Sequence, residues 1–225
     1  MSSTASFQRA RRPEQIAARR EAILDAARNL LADGRSADVS LGDIGSRTGL
    51  AKSALLRYFG SREVIFLEIL DREWRQWLDT LDDASPPSPC DGPWATERVF
   101  AATVADTLAQ RPVLCDLISV MAGVLERNID LDFARDFKQR AAANTARLAD
   151  LTAATLPALS GAATHQFAGA VFIITAGLWP YARPTDVVAA VSAQMGQLDP
   201  EEAFRANLRA GLVAQLVGLS AQAEA

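Results

Sequence analysis

Lys52, Ser53, Leu56 and Arg57 fall on one side of the short segment KSALLRYF, with Leu55, Tyr58 and Phe59 on the other at spacings of three and four. An apolar stripe backed by such a polar and basic face suits a helix that lies in a groove of nucleic acid. Lysine and arginine meet phosphate there, and an apolar side chain such as Leu56 can press on a thymine methyl. Ser40, Tyr58 and Arg62 flank this face and are candidates to contact or orient to phosphate.

The elements that must position this face are written nearby. Ser40 followed three residues later by Asp43 is a capping box, so a helix is expected from about Leu41. Leu41 and Ile44 share a face of that helix. Gly49 supplies the left-handed backbone that stops it after Thr48, and a second helix begins near Lys52. Two short helices joined by a glycine turn also occur as ordinary αα-corners on solvated surfaces.

Charge placement favours the nucleic-acid reading. Residues 1–62 hold eleven Lys or Arg against six Asp or Glu, a net +5, while residues 63–225 hold twelve against twenty-one, a net −9. The overall charge of −4 therefore hides a basic end. Neutralising phosphates releases counterions and gives a salt-dependent, sequence-independent affinity. Arg9, Arg11, Arg12, Arg19 and Arg20 precede or open the first helix, and residues 1–12 are expected to be a flexible basic arm able to track the backbone or enter a minor groove.

The stretch SLGDIGSRTGLAKSALLRYF, Ser40 to Phe59, resembles the helix-turn-helix of the TetR family of bacterial transcriptional repressors. The likeness begins at RREAILDAARNLL, Arg19 to Leu31, followed by Ala32-Asp33-Gly34, and continues through Tyr58-Phe59-Gly60-Ser61-Arg62-Glu63. Departures fall on the second helix of the pair. Ala51 stands where the family usually has serine, and Ser53, Ala54 and Leu56 stand where it usually has glycine, threonine and tyrosine. A missing cap hydroxyl costs about 0.5 to 2 kcal/mol, so the helix start must lean on tertiary packing. Arg62 replaces the usual lysine and keeps a charge for phosphate. The base preferences of relatives cannot be transferred to such a face.

The whole chain reads as all-α: an N-terminal three-helix DNA-binding domain over residues 13–60, then a larger helical domain over 61–225. Ser61 caps a long helix to about Leu81 that joins the two. Asp83 to Pro93, DASPPSPCDGP, is a turn-rich connector. Helices are expected at about Trp94–Gln110, Pro112–Glu126, Asp130–Leu156, Ser160–Trp179, Thr185–Gln194 and Asp199–Leu219.

What the resemblance implies for the larger domain is a small-molecule pocket and a homodimer. Apolar and aromatic walls suit such a pocket, and Trp74, Trp77, Phe100, Met121, Phe133, Phe137, Phe172 and Trp179 are available to line it around a small hydrophobic or amphipathic effector. Asp116, Glu126 and His165 are the polar residues closest to the apolar runs, Asp116 and His165 being the candidates to meet a ligand, although aromatic residues at helical spacing also serve as plain core. Phe204, Leu208, Leu212, Leu216 and Leu219 form a stripe on the last helix. With Phe172 on the apolar helix from Ser160, Phe204, Leu208, Leu212 and Leu216 are expected at a four-helix dimer interface, the alternative being the core of one subunit. Dimerisation would set two recognition helices about 34–36 Å apart on a near-palindromic operator. An effector would then have to prefer the arrangement that does not fit DNA.

Other classes find little support. Ala158 to Ala182 carries no Asp, Glu, Lys or Arg, but its strongly apolar part, Phe167 to Trp179, is too short to span a bilayer. No secretory signal is legible, and a cytoplasmic location is expected. Cys90 and Cys115 make no disulfide framework, and one histidine with two cysteines makes no metal site; no cofactor is expected. Phosphate-loop, nucleophile-elbow and metalloprotease motifs are absent, so an enzyme is not expected. Two other readings remain: a DNA-binding regulator or activator without an effector, and a helical small-molecule-binding or interaction protein whose basic head meets an acidic partner.

Overall fold

A computed structural model describes residues 4–84 and 92–223, with side chains from residue 13 onward. Most of the Asp83–Pro93 connector, Cys90 included, and the side chains of Arg9, Arg11 and Arg12 lie outside the described residues. The described residues form ten α-helices: α1 (Thr4–Asp33), α2 (Leu41–Thr48), α3 (Lys52–Phe59), α4 (Arg62–Asp83), α5 (Ala95–Ala109), α6 (Pro112–Val120), α7 (Leu131–Thr155), α8 (Gly161–Ala182), α9 (Asp186–Gln194) and α10 (Pro200–Ala223). The described residues contain no strand.

Local signals explain most boundaries. Ser61 caps α4, Asp130 caps α7, Ser160 caps α8 and Thr185 caps α9, each accepting from a backbone N–H three residues on. Two elements differ from expectation. The backbone of α1 is helical from Thr4, through Pro13 and far upstream of Arg19; the Ala-, Gln- and Arg-rich stretch has high helix propensity but no apolar periodicity to announce it. Helix α6 stops at Val120, and a 3-10 turn at Leu125–Arg127 follows Gly123. That turn re-aims Leu125 into the core.

Helix α4 spans the molecule. Its first turns pack Val64, Ile65 and Phe66 beneath α1 and α3, and its later turns pack Trp74, Trp77 and Leu78 among α5, α6 and α7. One continuous core runs from Ile23 on α1 to Leu219 on α10.

The stripe expected at a subunit interface is core instead. Phe204, Leu208, Leu212, Leu216 and Phe172 are buried within a single protomer, where α10 packs against α5 and α8. Their surface is already covered, so it is not available to a second copy. Spacing on α10 announced a buried face without saying what buries it, and the occupants are α8 and α5, the latter with Ala101, Val104, Ala105 and Leu108 buried. Helix α8 is long and apolar enough to cross a membrane, at 22 residues and mean hydropathy 1.2. Within the fold it packs against α6, α7 and α10 through Phe167, Ala168, Val171 and Thr175.

Candidate DNA interface

The turn between α2 and α3 is set by a few atoms. Ser40 Oγ accepts from the backbone N–H of Gly42 at 3.1 Å and of Asp43 at 3.3 Å, while Asp43 Oδ2 accepts from the backbone N–H of Ser40 at 2.8 Å and from its hydroxyl at 2.6 Å. The Ser40 hydroxyl, followed by its N–H, holds the Asp43 carboxyl below the usual carboxylate range. Gly49 closes α2 at φ +68°. Gly45 is required for a different reason: a Cβ there would stand 2.6 Å from the carbonyl oxygen of Leu50. That close approach lets α3 cross α2.

Leu55 and Phe59 anchor α3 in the core, and Tyr58 is half-buried. Lys52, Ser53 and Arg57 are exposed, and Leu56 is 42% exposed, large for a leucine on a helix whose other face is fully covered. Lys52 leans over α2, where a Cβ on Gly42 would lie 3.1 Å from its Cε. Ala51 caps α3 with extended backbone and no side-chain hydrogen bond. Packing of Leu55 and Phe59 takes the place of the missing hydroxyl.

Arg62 and Ser40 are more committed than their sequence suggested. Arg62 Nη1 donates to the carbonyl of Val39 at 3.0 Å, its Nε and Nη2 meet Glu63 Oε1 at 3.3 Å, and its guanidinium lies 5.3 Å from the centre of the Phe66 ring. It ties the start of α4 to the residue before the Ser40 cap. Arg20, singled out only as part of a basic run, plays a similar part. It donates to the carbonyl of Tyr58, pairs with Glu68 at 2.5 Å and covers the Phe59 ring at 4.0 Å. Glu21 takes Arg72 on two oxygens at 2.6 and 2.7 Å, and Arg28 reaches the buried Glu73 at 2.6 Å. These pairs join α1 to α4 across 45 to 51 residues of sequence, a separation at which helical spacing carries no signal.

Two further bonds tie the α1–α2 loop to the larger domain. The backbone N–H of Ser36 donates to Asp116 Oδ2 at 2.8 Å, and Arg35 Nη2 donates to the carbonyl of Pro184 at 2.7 Å. Asp116 Oδ1 accepts from the indole of Trp179 at 3.3 Å. Asp116 therefore stands between head and body.

The aromatic residues singled out for an effector pocket belong to the continuous core or pack against it, in several separate ring contacts. Trp74 lies against Phe172 with ring centres 3.9 Å apart, and Trp77 meets the same ring edge-on at 6.3 Å while donating to Thr107 Oγ1. Phe133 stacks parallel to Phe137 at 6.4 Å. Phe100 packs on Phe167, and Met121 is half-buried. Trp179 sits elsewhere, edge-on to Phe204 at 5.0 Å in the wall of a cleft of about 440 Å³ that also includes Pro112, Glu201 and Arg205. His165 is exposed on α8, its Nδ1 2.9 Å from the carbonyl of Gly161. Among the described residues no group of His, Cys, Asp or Glu could hold a metal ion. Cys115 is buried, and desolvation pushes its thiol far above the ordinary range, so it stays protonated.

Comparison with known proteins fixes the family. A family model for bacterial regulatory proteins of the tetR family matches residues 23–69, and one for the tetracyclin repressor-like C-terminal domain matches residues 71–223. The chain belongs to the TetR family. It is a TetR-family transcriptional regulator whose helix-turn-helix is α2–α3, and the family consists of regulators rather than enzymes. A TetR-type relative, the HTH-type transcriptional regulator EthR of Mycobacterium tuberculosis, is 34% identical over 99 residues, 42% of this chain. The chain spans about half of that relative, 46% of its length, and EthR of Mycobacterium bovis matches to the same extent. Among solved structures, a TetR-family regulator from Mesorhizobium loti superposes with a TM-score of 0.52 at 14% identity, over 89% of this chain and 96% of the other. The fatty acid degradation regulator FadR from Bacillus halodurans gives 0.50 at 12% identity, over 85% and 97%. At such identities they share the fold with this TetR chain.

Proposed function

We propose that the protein is a homodimeric repressor that occludes a promoter by binding a near-palindromic operator and is released by a small-molecule effector. The observation that carries this reading is the outer face of α3. Lys52, Ser53, Leu56 and Arg57 stand free on a helix whose inner face and both ends are pinned, by Leu55, Phe59, Gly45 and the Arg20 and Arg62 bonds. In this reading those four residues meet the groove. Ser40 and Tyr58 reach phosphate, and Arg62 orients the helix pair. Residues 13–60 form the DNA-binding domain and residues 61–225 the effector and dimer domain.

Dimerisation uses the outward face of α8 and its continuation into α9, in place of the Leu208 stripe. Ile173 is 74% exposed and Tyr181 79%, with Gly169 and Gly177 on the same line of α8 and nothing within 4 Å of a Cβ at either. Val187 and Val191 on α9 and Met195 at its end are exposed as well. Exposed large apolar side chains grouped along one helix line are the mark of an interface.

The test is titration of DNA from upstream of the gene against a scrambled competitor at rising salt. Specific binding survives the competitor, with a log–log salt slope of about −0.9 per phosphate neutralised. A steep slope without sequence preference would leave only a basic head that binds polyanions. Compounds that release the specific complex then identify the effector.

A further inference from the structure

Three buried side-chain nitrogens have no hydrogen-bond partner among the described residues: Nε1 of Trp74, and Nε and Nη2 of Arg140. All three are donors. Among the described residues the carboxylate within 4 Å of Arg140 is that of Asp71, which already serves two other side chains. Its Oδ1 accepts from Asn144 Nδ2 at 3.1 Å and its Oδ2 from Arg75 Nη2 at 3.1 Å. Arg140 Nε stands 3.9 Å from that Oδ2, beyond hydrogen-bond reach. Two guanidinium groups thus face a single carboxylate, and a positive charge is left over.

The vacant donors have a shape. Nε and Nη2 share one edge of the guanidinium, the edge that grips a carboxylate through two parallel N–H···O bonds. Trp74 lies one helical turn beyond Asp71 on the same side of α4, with its ring on Phe172. Phe133 lies under the Arg140 cation at 5.7 Å. Each donor group therefore has an aromatic ring beside it. The Arg140 side chain is 42% exposed although these two nitrogens are not, so its edge points inward from a position that solvent reaches.

The geometry points to an effector subsite between α4 and α7 that takes the carboxylate of an amphipathic acid. The Nε–Nη2 edge of Arg140 and the Trp74 indole N–H bind the acid group, and the apolar body lies against Phe133 and Phe172. This inference rests on the ligand-responsive reading above. A cationic ligand would leave every donor unserved and add charge to an excess of the same sign. A neutral amide supplies one acceptor where the fork asks for two.

The test is calorimetric titration of the full chain with decanoate and 4-phenylbutyrate, each against its primary amide. The acids bind at least tenfold more tightly than the amides. Arg140→Gln erases that preference without lowering helix content, Arg140→Lys restores only part of it because an ammonium lacks the fork, and Trp74→Phe weakens the acids several-fold. Equal affinity for acid and amide, no binding of either acid, or a preference that survives both Arg140 variants overturns the subsite; in the last case Arg140 belongs to Asp71 alone. A DNA-release assay separates the two claims. If amides release operator DNA and acids do not, the protein responds to ligands but not through this edge. If the acids bind with an Arg140-dependent preference and DNA stays bound, the subsite stands and the effector reading falls.

Discussion

Asp116 on α6 holds the backbone N–H of Ser36, 80 residues away, at 2.8 Å. Its other oxygen takes the Trp179 indole, so one carboxylate links the loop leading into α2 with the end of α8. Ser36 is buried, and a buried N–H without an acceptor is costly to leave unmade. Asp116→Ala should therefore destabilise the protein by about 1–3 kcal/mol. Amide exchange at Ser36 should quicken more than exchange along α10. Equal protection at Ser36 in both proteins would show that the bond does not hold the loop.

Gly45 should tolerate no side chain. With a Cβ only 2.6 Å from the Leu50 carbonyl oxygen, Gly45→Ala must push α3 away from α2 or distort the turn, at a cost of about 1–3 kcal/mol. Urea unfolding should show the loss, and operator affinity should fall with it. Wild-type stability in this variant would mean that the turn is looser than its geometry.

Ala51 offers the opposite effect. Its backbone is already extended, φ −66° and ψ 150°, as an N-cap requires, and no side chain serves the free N–H groups of α3. Ala51→Ser should add about 0.5–2 kcal/mol, raising the melting temperature by a few degrees. An unchanged or lower melting temperature would mean that those N–H groups are satisfied without a hydroxyl.

Two substitutions distinguish core from interface. Leu208→Glu places a carboxylate in the fully covered seam of α5, α8 and α10 and should unfold the protomer, since an unpaired charge there has no compensation. Ile173→Glu, on the exposed line of α8, should yield a folded monomer with normal helicity. Sedimentation and circular dichroism read both. A folded monomer from Leu208→Glu, or a persistent dimer from Ile173→Glu, would reverse the assignment.

The helix pair was legible in the sequence because its determinants are local: a capping box within four residues, a glycine at the stop, a stripe at three and four. Periodicity also marked Leu208, Leu212 and Leu216 as buried. It could not say by what, because α5 and a second subunit present equally apolar surfaces to a one-dimensional reading. Asp116 and Arg20 were harder still. Each acts on a backbone group in a distant element, and neither a carboxylate in an apolar helix nor an arginine in a basic run carries a local mark of such a partner. The orphaned edge of Arg140 is visible only once Asp71 is seen bonded to Asn144 and Arg75 with Arg140 Nε standing 3.9 Å off.

The central claim is that the exposed face of α3 reads a particular DNA sequence, and footprinting of the upstream region with wild-type protein and Arg57→Ala tests it most directly. The account predicts protection of two half-sites about 34–36 Å apart, and at least a tenfold loss of affinity in Arg57→Ala with dimerisation and helix content unchanged. Protection without a repeated half-site, or an Arg57→Ala protein that binds as well as wild type, would contradict it.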